Sequence, residues 1–280
     1  MEGFIIKNIS NDYVVKGKGA TYLCKARGKF RNMKLTPLVG DHVCFDEKNH
    51  YLLEIKPRKN CLVRPSVANV DQAIVVSSVK MPNLDTYLLD KLLTIISFHN
   101  IEPIICFTKL DLLDDDERKK IEEYIMYYRK IGYTVVTNEK RENLVSLFQN
   151  KITVLTGQSG AGKSSLLNLL EPSLNLKTDE ISLALNRGKH TTRHTELYEV
   201  LDGYVVDTPG FSQVDFHEMT KMDIRDNMKE MFDYLEYCKY RDCMHIKEDG
   251  CRVKDMVLEK EILSSRYDHY KYFIENKNRD

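Results

Sequence analysis

The sequence of 280 residues contains no apolar run that approaches the ~18–20 residues needed to span a membrane. Its first residues, MEGFIIKNISNDY, lack the basic flank, the long apolar segment and the small-residue cleavage site of an export signal. These absences argue against a membrane protein and against secretion. We therefore expect a protein of the cytoplasm that has no membrane partner.

The number of cysteines is odd, whereas a fully paired disulfide framework requires an even number. The chain has seven, of which Cys24, Cys44, Cys61 and Cys106 are scattered and the other three lie between residues 238 and 251. An odd number in a chain of this length argues against stabilisation by disulfides. We interpret the four scattered cysteines as buried or inert thiols.

The sequence also lacks net charge, but its charges are unevenly distributed. Lys and Arg number 42 against 42 Asp and Glu, so the sum is zero. Residues 1–64 carry 13 basic and 6 acidic residues, residues 65–237 carry 19 and 27, and residues 238–280 carry 10 and 9. Overall neutrality therefore hides a basic N-terminal block.

The segment from Tyr13 to Gly40, the basic segment, contains no acidic residue. Its cationic residues are Lys16, Lys18, Lys25, Arg27, Lys29, Arg31 and Lys34. A basic surface of this size indicates a polyanionic partner, which makes these seven residues candidates for RNA binding. An equally good interpretation of this segment alone is a solvated sheet edge, where lysines prevent strand-to-strand aggregation.

Three kinds of pattern follow one another along the chain. Up to about residue 64, short alternating runs such as YVVKG and HVCFDE, separated by glycines, predict a small OB-like β-barrel. Strands and helices then alternate, which predicts a central α/β domain with a parallel-rich sheet, and the pair Asp202-Gly203 predicts a hairpin turn within it. The last third has a mainly helical pattern that the Cys/His cluster interrupts. We therefore predict a multi-domain protein.

A phosphate-binding loop is the most specific single motif. Residues 157–164, GQSGAGKS, match GxxxxGK[ST] and lie between a predicted strand and a predicted helix. Backbone N–H groups of such a loop and the helix N-terminus bind phosphate oxygens. Lys163 would reach the β- and γ-phosphates, and Ser164 would bind Mg²⁺. The candidate nucleotide-binding residues here are Gly157, Gln158, Ser159, Gly160, Ala161, Gly162, Lys163, Ser164 and Ser165.

Two further motifs end predicted strands. In Asp207-Thr-Pro-Gly210, the aspartate would hold Mg²⁺ through water and the glycine N–H would sense the γ-phosphate. The tetrapeptide from Thr108 to Asp111, TKLD, resembles the NKxD guanine motif of GTPases, with Thr in place of Asn. Asp111 would accept hydrogen bonds from guanine N1–H and the 2-amino group, which adenine does not offer. Lys109 would lie along the base.

The polar stretch from Gly188 to Arg193 lies where a switch segment offers a threonine to Mg²⁺ and the γ-phosphate. Thr191 or Thr192 is the candidate for this role. Many GTPases place a water-orienting Gln directly after the Asp-x-x-Gly motif, but Phe211 stands there and cannot orient water. His190 is the candidate for positioning the water, and an ordinary exposed loop histidine is the alternative.

A potential metal site occurs late in the chain. Cys238, Cys243, His245 and Cys251 follow the spacing Cys-x4-Cys-x-His-x5-Cys. Three thiolates and one imidazole suit tetrahedral Zn²⁺ and leave no open coordination position, so the pattern predicts a structural site. The alternative is an accidental cluster of free cysteines beside a histidine.

The order of the motifs is permuted. In Ras-like domains the phosphate loop comes first and the guanine motif last, whereas here the guanine-like motif precedes the loop. The permuted order, the basic N-terminal block and the Cys/His spacing resemble the RsgA (YjeQ) family of small-ribosomal-subunit biogenesis GTPases. The similarity covers essentially the whole chain and includes RPSVANVDQ from Arg64 and VGDHVCF from Val39.

The resemblance implies an OB-fold RNA-binding domain at residues 1–64, a circularly permuted GTPase domain at 65–225 and a zinc-binding domain at 226–280. It implies hydrolysis of GTP to GDP and phosphate with Mg²⁺, one structural Zn²⁺, and stimulation by the small (30S) ribosomal subunit during late maturation. The implied partners are this subunit with its 16S rRNA and other assembly factors, and the chain would be a monomer. His190 would assist hydrolysis in place of Gln. The sequence departs from the family pattern at Thr108 and at VVTNEK from Val135, where a Ser-Ala base-support loop is usual.

Three other functions fit parts of the sequence. The first is a regulatory GTPase with a protein partner. Charge reversal in the basic segment distinguishes it, because the reversal should abolish turnover stimulated by the ribosomal subunit if the ribosomal function is right. An RNA-binding module with an inactive nucleotide fold is disfavoured by the presence of Lys163, Ser164 and Asp207. An ATPase is disfavoured by Asp111.

Overall fold

The structure, a computed structural model, describes residues 1–10, 12–62, 66–174, 195–206 and 215–277, and of Arg31 only the backbone. No helix within these ranges is long and apolar enough to cross a membrane. The chain forms two compact units. The first comprises Met1–Ile74, Lys140–Thr156 and Lys163–Phe211, and the second comprises Val75–Glu139, Gly157–Gly162 and Ser212–Asp280.

The first unit begins with a closed five-stranded barrel. Its strands are β1 (Glu2–Ile9), β2 (Asp12–Lys16), β3 (Thr21–Ala26), β4 (His42–Asp46) and β5 (Tyr51–Ile55), joined in the order β1-β2-β3-β5-β4. β1 pairs antiparallel with β2 and with β4, and β3 pairs parallel with β5, which closes the sheet. The short helix α1 (Lys29–Asn32) connects β3 to β4. The OB-like barrel predicted from the alternating runs is confirmed.

Alternating side chains fill the interior of this barrel. Ile5, Val15, Cys24, Val43 and Phe45 are fully buried. Successive side chains of a strand point to opposite faces, so a period of two in the sequence produces one apolar interior and one solvated exterior.

The α/β elements follow the barrel along the chain. The strands are β6 (Cys61–Leu62), β7 (Val67–Ala68), β8 (Gln72–Ser78), β9 (Glu102–Thr108), β10 (Thr134–Thr137), β11 (Ile152–Thr156), β12 (Leu197–Val200) and β13 (Gly203–Val206). The helices are α2 (Thr86–Phe98), α3 (Asp115–Lys130), α4 (Arg141–Phe148) and α5 (Lys163–Leu170). Acidic residues occupy the first turn of α3, and Arg129 and Lys130 occupy its last turn, which favours the helix dipole.

In the first unit the sheet strands run in the order β8-β11-β13-β12, with β8 contributing its residues up to Ile74. β11 and β13 are parallel, and β12 and β13 form an antiparallel hairpin. The side-chain amide of Gln72 donates to the Oγ1 of Thr153 at 2.9 Å and fixes the start of β8 beside β11. The short strands β6 and β7 pair antiparallel outside this sheet.

The turn of the β12–β13 hairpin differs from the prediction. Leu201 and Asp202 form it, with Leu201 at a φ of 55°, and Gly203 already belongs to β13. A Cβ atom on Gly203 would lie 1.9 Å from the carbonyl oxygen of Phe148. Glycine is required here by the close approach of another backbone and not by the turn, so the expected turn position was wrong.

In the second unit the strands run in the order β10-β9-β8, with β8 contributing its residues from Val75 onward. β9 and β10 are parallel. The helices α6 (Lys221–Asp226), α7 (Lys229–Asp233), α8 (Arg252–Leu258) and α9 (Ser264–Asn276) complete the unit, which confirms a mainly helical C-terminal region. An apolar core that includes Ile95, Met228, Met231 and Phe273 joins these helices to α2.

A buried ionic cluster lies among the helices of the second unit. Arg266 of α9 donates from Nη1 to Asp90 of α2 and from Nε to Glu230 of α7, each at 2.5 Å, and all three side chains are at most 2% exposed. The hydroxyl groups of Tyr127 and Tyr128 on α3 donate to Glu230 and Asp90 at 2.8 and 2.6 Å. No local sequence pattern marks this cluster, because its members lie far apart along the chain.

The scattered cysteines agree only in part with the interpretation as buried thiols. Cys24 and Cys106 are buried, and burial raises the pKa of Cys106 to about 12, so this thiol is inert near neutral pH. Cys44 is half-buried and Cys61 is exposed, so these two are not buried thiols, and their inertness stays a prediction.

Candidate nucleotide and metal sites

The phosphate loop connects a strand to a helix, as the motif predicts. β11 ends at Thr156, the loop runs from Gly157 to Gly162, and α5 begins at Lys163. Gly157 has a φ of 124°, and a Cβ there would lie 2.1 Å from the carbonyl oxygen of Val76. Gly162 has a φ of 94°. Both positions need glycine because an L side chain rarely adopts such backbone angles.

The first turn of α5 carries the two candidate ligands for phosphate and metal. Lys163 is half-buried, and burial lowers the pKa of its ammonium. Ser164 is 5% exposed, whereas Ser159, Gly160 and Ser165 are exposed. A partly desolvated ammonium at a helix N-terminus is suited to an anionic ligand, because water competes less for its charge.

The guanine-like motif follows β9. Lys109 has a left-handed backbone with a φ of 64°, and its Nζ donates to the carbonyl oxygen of Met81. Asp111 lies in a 3₁₀ turn (Leu110–Leu112) and is exposed, and its carboxylate has no hydrogen bond or ion pair with the described residues. This carboxylate is therefore free to accept hydrogen bonds from a ligand.

The guanine-like motif and the phosphate loop are directly joined. The Oγ1 of Thr108 donates to the carbonyl oxygen of Ala161 at 2.6 Å across 53 residues of sequence, and both residues are buried. On the other side, the backbone N–H of Asn138, which follows β10, donates to the carbonyl of Phe107 at 3.2 Å. The stretch that departs from the usual base-support loop thus lies beside the end of β9.

Several predicted site residues lie outside the described part of the chain. These are His190 and Thr192 of the switch segment, and Asp207 and Gly210 of the Asp-x-x-Gly motif. β13 is described up to Val206, the residue before Asp207. Their catalytic and metal-binding roles stay predictions.

The predicted zinc ligands lie together. One ligand atom from each of Cys238, Cys243, His245 and Cys251 lies within 4.8 Å of the other three, and His245 is fully buried. The Nδ1 of His245 is 3.6 Å from the Sγ of Cys238 and 3.3 Å from the Sγ of Cys251. The Nε2 of His245 donates to the carbonyl of Met231 at 3.0 Å, which leaves Nδ1 as the ligand atom.

This geometry is compatible with one structural Zn²⁺. Zinc bonds of ~2.3 Å to sulfur and ~2.05 Å to nitrogen in a tetrahedron separate these ligand atoms by about 3.5 Å. Burial raises the pKa of Cys243 to about 12 and lowers the pKa of His245 to about 4. A buried cation would stabilise the thiolates that such an environment otherwise disfavours. The hydroxyl of Tyr267 donates to the carbonyl of His245 at 2.6 Å and fixes the loop.

Substitution of a ligand tests the zinc site. We expect Cys251→Ser to reduce bound zinc from about one per chain to a small fraction, because a hydroxyl is a poor zinc ligand. Elemental analysis of the purified protein measures this. Cys61→Ser is the matched control, since Cys61 is exposed and outside the cluster, and it should retain its zinc. Full zinc occupancy in Cys251→Ser would contradict the assignment.

The basic segment covers β2, β3 and α1 of the barrel. Lys18, Lys25, Arg27, Lys29 and Lys34 are exposed. Lys16 is half-buried, and its Nζ donates to the carboxylate of Glu199 and to the hydroxyl of Tyr204. For Arg31 only the position in α1 is described. Five cations are therefore displayed on the barrel, whereas Lys16 already has protein partners.

Comparisons with known proteins cover nearly the whole chain. The family described as RsgA N-terminal domain matches residues 2–51, and the family described as RsgA GTPase matches residues 55–217. Small ribosomal subunit biogenesis GTPase RsgA 2 of Oceanobacillus iheyensis is 49% identical, over 98% of this chain and 96% of that protein. Small ribosomal subunit biogenesis GTPase RsgA of Enterococcus faecalis is 48% identical, over 98% and 94%.

Two solved structures resemble the whole fold. The structure of YloQ, a circularly permuted GTPase, has a TM-score of 0.84 and 39% identity, and the alignment covers 100% of this chain and 96% of that one. YjeQ from Thermotoga maritima has a TM-score of 0.86 and 36% identity, with 100% and 99% covered. The permuted motif order inferred from the sequence thus agrees with the described architecture of a close structural relative.

Proposed function

The chain belongs to the RsgA GTPase family, and from this premise we propose that it binds the small (30S) ribosomal subunit and hydrolyses GTP during late maturation of that subunit. The relatives' names supply the ribosomal role. We propose further that the subunit stimulates turnover and that the partners are the subunit, its 16S rRNA and other assembly factors. The protein would act as a cytoplasmic monomer.

One observation supports this proposal most strongly. A hydrogen bond from Thr108 to Ala161 brings a guanine-reading motif and a phosphate loop together although the chain presents them in permuted order. The base and the phosphates of a nucleotide lie at a limited distance from each other. A protein that binds both must therefore hold its base site and its phosphate site at a matching distance. An RNA-binding module without nucleotide chemistry has no need for this connection.

The residues divide the chemistry between base and phosphates. Asp111 would select guanine, and Lys109 would lie along the base. Lys163 and the N–H groups of the loop would balance charge on the transferred phosphoryl group, where stabilisation is greatest in the transition state. GTP and GDP would be bound by residues 157–165 together with the guanine-like motif. Ser164 is suited to Mg²⁺, which would neutralise phosphate charge.

The remaining roles rest on sequence alone. Thr192 would bind Mg²⁺ and sense the γ-phosphate, Asp207 would hold Mg²⁺ through water, and Gly210 would sense the γ-phosphate through its N–H. His190 would position the attacking water, because Phe211 cannot. We retain the three proposed domains at residues 1–64, 65–225 and 226–280 as part of this proposal.

The proposal is tested by GTP turnover with and without purified 30S subunits. We expect slow release of phosphate by the free protein and a rise in kcat when subunits are added in excess. Mature 50S subunits serve as the control for nonspecific stimulation by RNA. Equal turnover under all three conditions would contradict the ribosomal role while leaving GTP hydrolysis intact.

Charge reversal tests the basic segment as the RNA contact. We expect Lys25→Glu combined with Lys29→Glu to weaken subunit binding and to lower the slope of log affinity against log salt by about 1.5 to 2, because two phosphate contacts are lost. Sedimentation with 30S subunits across a salt series measures both. Lys119→Glu with Lys120→Glu reverses two exposed lysines on α3 and is the matched control. Identical salt slopes for the two variants would favour the interpretation as a protected sheet edge.

A further inference from the structure

The hydroxyl of Thr108 has a single hydrogen, and the structure shows where it goes. The acceptor is the carbonyl oxygen of Ala161, at 2.6 Å. A carbonyl can only accept, so Thr108 must be the donor in this bond. Thr108 is 2% exposed and Ala161 is fully buried, so water does not replace the bond at low cost.

A threonine in this position can form further hydrogen bonds only as an acceptor. Guanine presents N7 and O6 as acceptors on its major-groove edge, which adjoins the edge that carries N1–H and the 2-amino group. Two acceptors do not bond to each other, so the Thr108 hydroxyl has nothing to offer this edge while it holds Ala161. An asparagine amide would have two N–H donors and could serve a carbonyl and a ring nitrogen together.

Two backbone N–H groups that donate to the end of β9 are also occupied. The N–H of Val79 donates to the carbonyl of Thr108 itself at 3.1 Å. The N–H of Asn138 donates to the carbonyl of Phe107. Neither N–H group is therefore available to guanine N7 in this arrangement.

Resting on the proposed GTPase function, we propose that Thr108 is a positioning residue that ties the guanine-like motif to the phosphate loop and leaves guanine N7 unread. Base selection then depends on Asp111 and the N1–H and 2-amino edge. The substrate class consequently extends to guanine nucleotides altered at position 7. The hydrogen bond from Thr108 to Ala161 keeps the spacing between the base site and the phosphate site. Guanine N7 receives no hydrogen bond from Thr108, so a substitution at that position should be tolerated.

Nucleotide analogues test this directly on the full-length protein. We expect 7-deaza-GTP, which replaces N7 by a C–H group, to be hydrolysed with a kcat/KM within about two-fold of that for GTP. Inosine triphosphate lacks the 2-amino group and should lose at least about ten-fold, because one carboxylate lone pair of Asp111 is left unpaired. A ten-fold loss with 7-deaza-GTP would overturn the proposal. Equal rates for GTP and inosine triphosphate would instead count against guanine selection by Asp111.

Substitutions at Thr108 separate positioning from simple packing. Thr108→Asn supplies a second donor, so we expect it to create a preference for GTP over 7-deaza-GTP of about five- to ten-fold, the effect of one neutral hydrogen bond. Thr108→Ser keeps the hydroxyl and should retain equal use of both nucleotides and a near-normal KM. Thr108→Val removes the donor and should raise the KM for both nucleotides equally.

The decisive measurement is the ratio of kcat/KM for GTP to kcat/KM for 7-deaza-GTP, because a loss of protein stability alone does not change this ratio. The proposal would be overturned if the parent protein already prefers GTP to 7-deaza-GTP. It would also be overturned if Thr108→Val leaves the KM for both nucleotides unchanged. Absence of GTP hydrolysis by the parent protein would instead refute the proposed function. The two failures are thereby distinguishable.

Discussion

We expect Lys163→Ala to lower the kcat for GTP by on the order of 100- to 1000-fold, the usual effect of removing one donor to transition-state charge. Lys163 begins α5 directly after the glycine loop, and burial already lowers the pKa of its ammonium. A partly desolvated cation interacts more strongly with phosphate oxygens than an exposed one does. In the proposed role of Lys163, the variant would leave the charge that develops during phosphoryl transfer without this side-chain partner.

Phosphate release in single-turnover experiments measures this effect without a contribution from product release. Lys119→Ala removes an exposed lysine from α3 and is the control, which should retain the parent rate. Circular dichroism checks that both variants fold. A Lys163→Ala protein with the parent rate would mean that the loop does not catalyse hydrolysis and would revive the interpretation as an RNA-binding module.

We expect Arg266→Met to lower the free energy of unfolding of the second unit by about 3–5 kcal/mol. The substitution leaves Asp90 and Glu230 buried without the cation that both contact at 2.5 Å. The tyrosine hydroxyl groups that also donate to these carboxylates reduce the loss but do not supply a charge. Nδ1 of His269 contacts Asp90 at 2.6 Å and supplies a charge there when protonated, so among the described residues Glu230 loses its only cationic contact. A buried uncompensated carboxylate is among the largest single causes of instability.

A triple variant distinguishes loss of charge balance from loss of packing. Arg266→Met combined with Asp90→Asn and Glu230→Gln leaves no buried charge, so we expect it to recover much of the lost stability. Arg252→Met breaks the exposed ion pair with Glu259 and should change stability by less than about 1 kcal/mol. The sequence has no tryptophan, so urea unfolding is followed by tyrosine fluorescence and circular dichroism. A triple variant as unstable as Arg266→Met would assign the effect to packing.

The buried ionic cluster also shows what holds the zinc cluster to the rest of its unit. Arg266 lies on α9, the helix whose Tyr267 hydroxyl donates to the carbonyl of the predicted zinc ligand His245. The same arginine contacts α2, which follows β8 in the half of the GTPase fold that contains the guanine-like motif. The C-terminal helices therefore share a rigid core with that half.

The features that depend on short spacings could be predicted from the sequence. The phosphate loop was predicted because eight consecutive residues determine its backbone. The Cys/His cluster was predicted because its four ligands lie within fourteen residues. The barrel followed from alternation, since the two faces of a strand are a local property.

The contacts between distant residues could not be predicted from the sequence, because they depend on how the elements pack. Thr108 bonds to a carbonyl 53 positions away, and Arg266 bonds to Asp90 176 positions away. Gly203 is required by the backbone of Phe148 and not by the turn that its pairing with Asp202 predicted. Local propensity acts over a few residues, whereas such partners are chosen by the packing of whole elements. The sequence therefore determined the class of chemistry, and the packing decided how base selection, phosphate binding and the zinc cluster are connected.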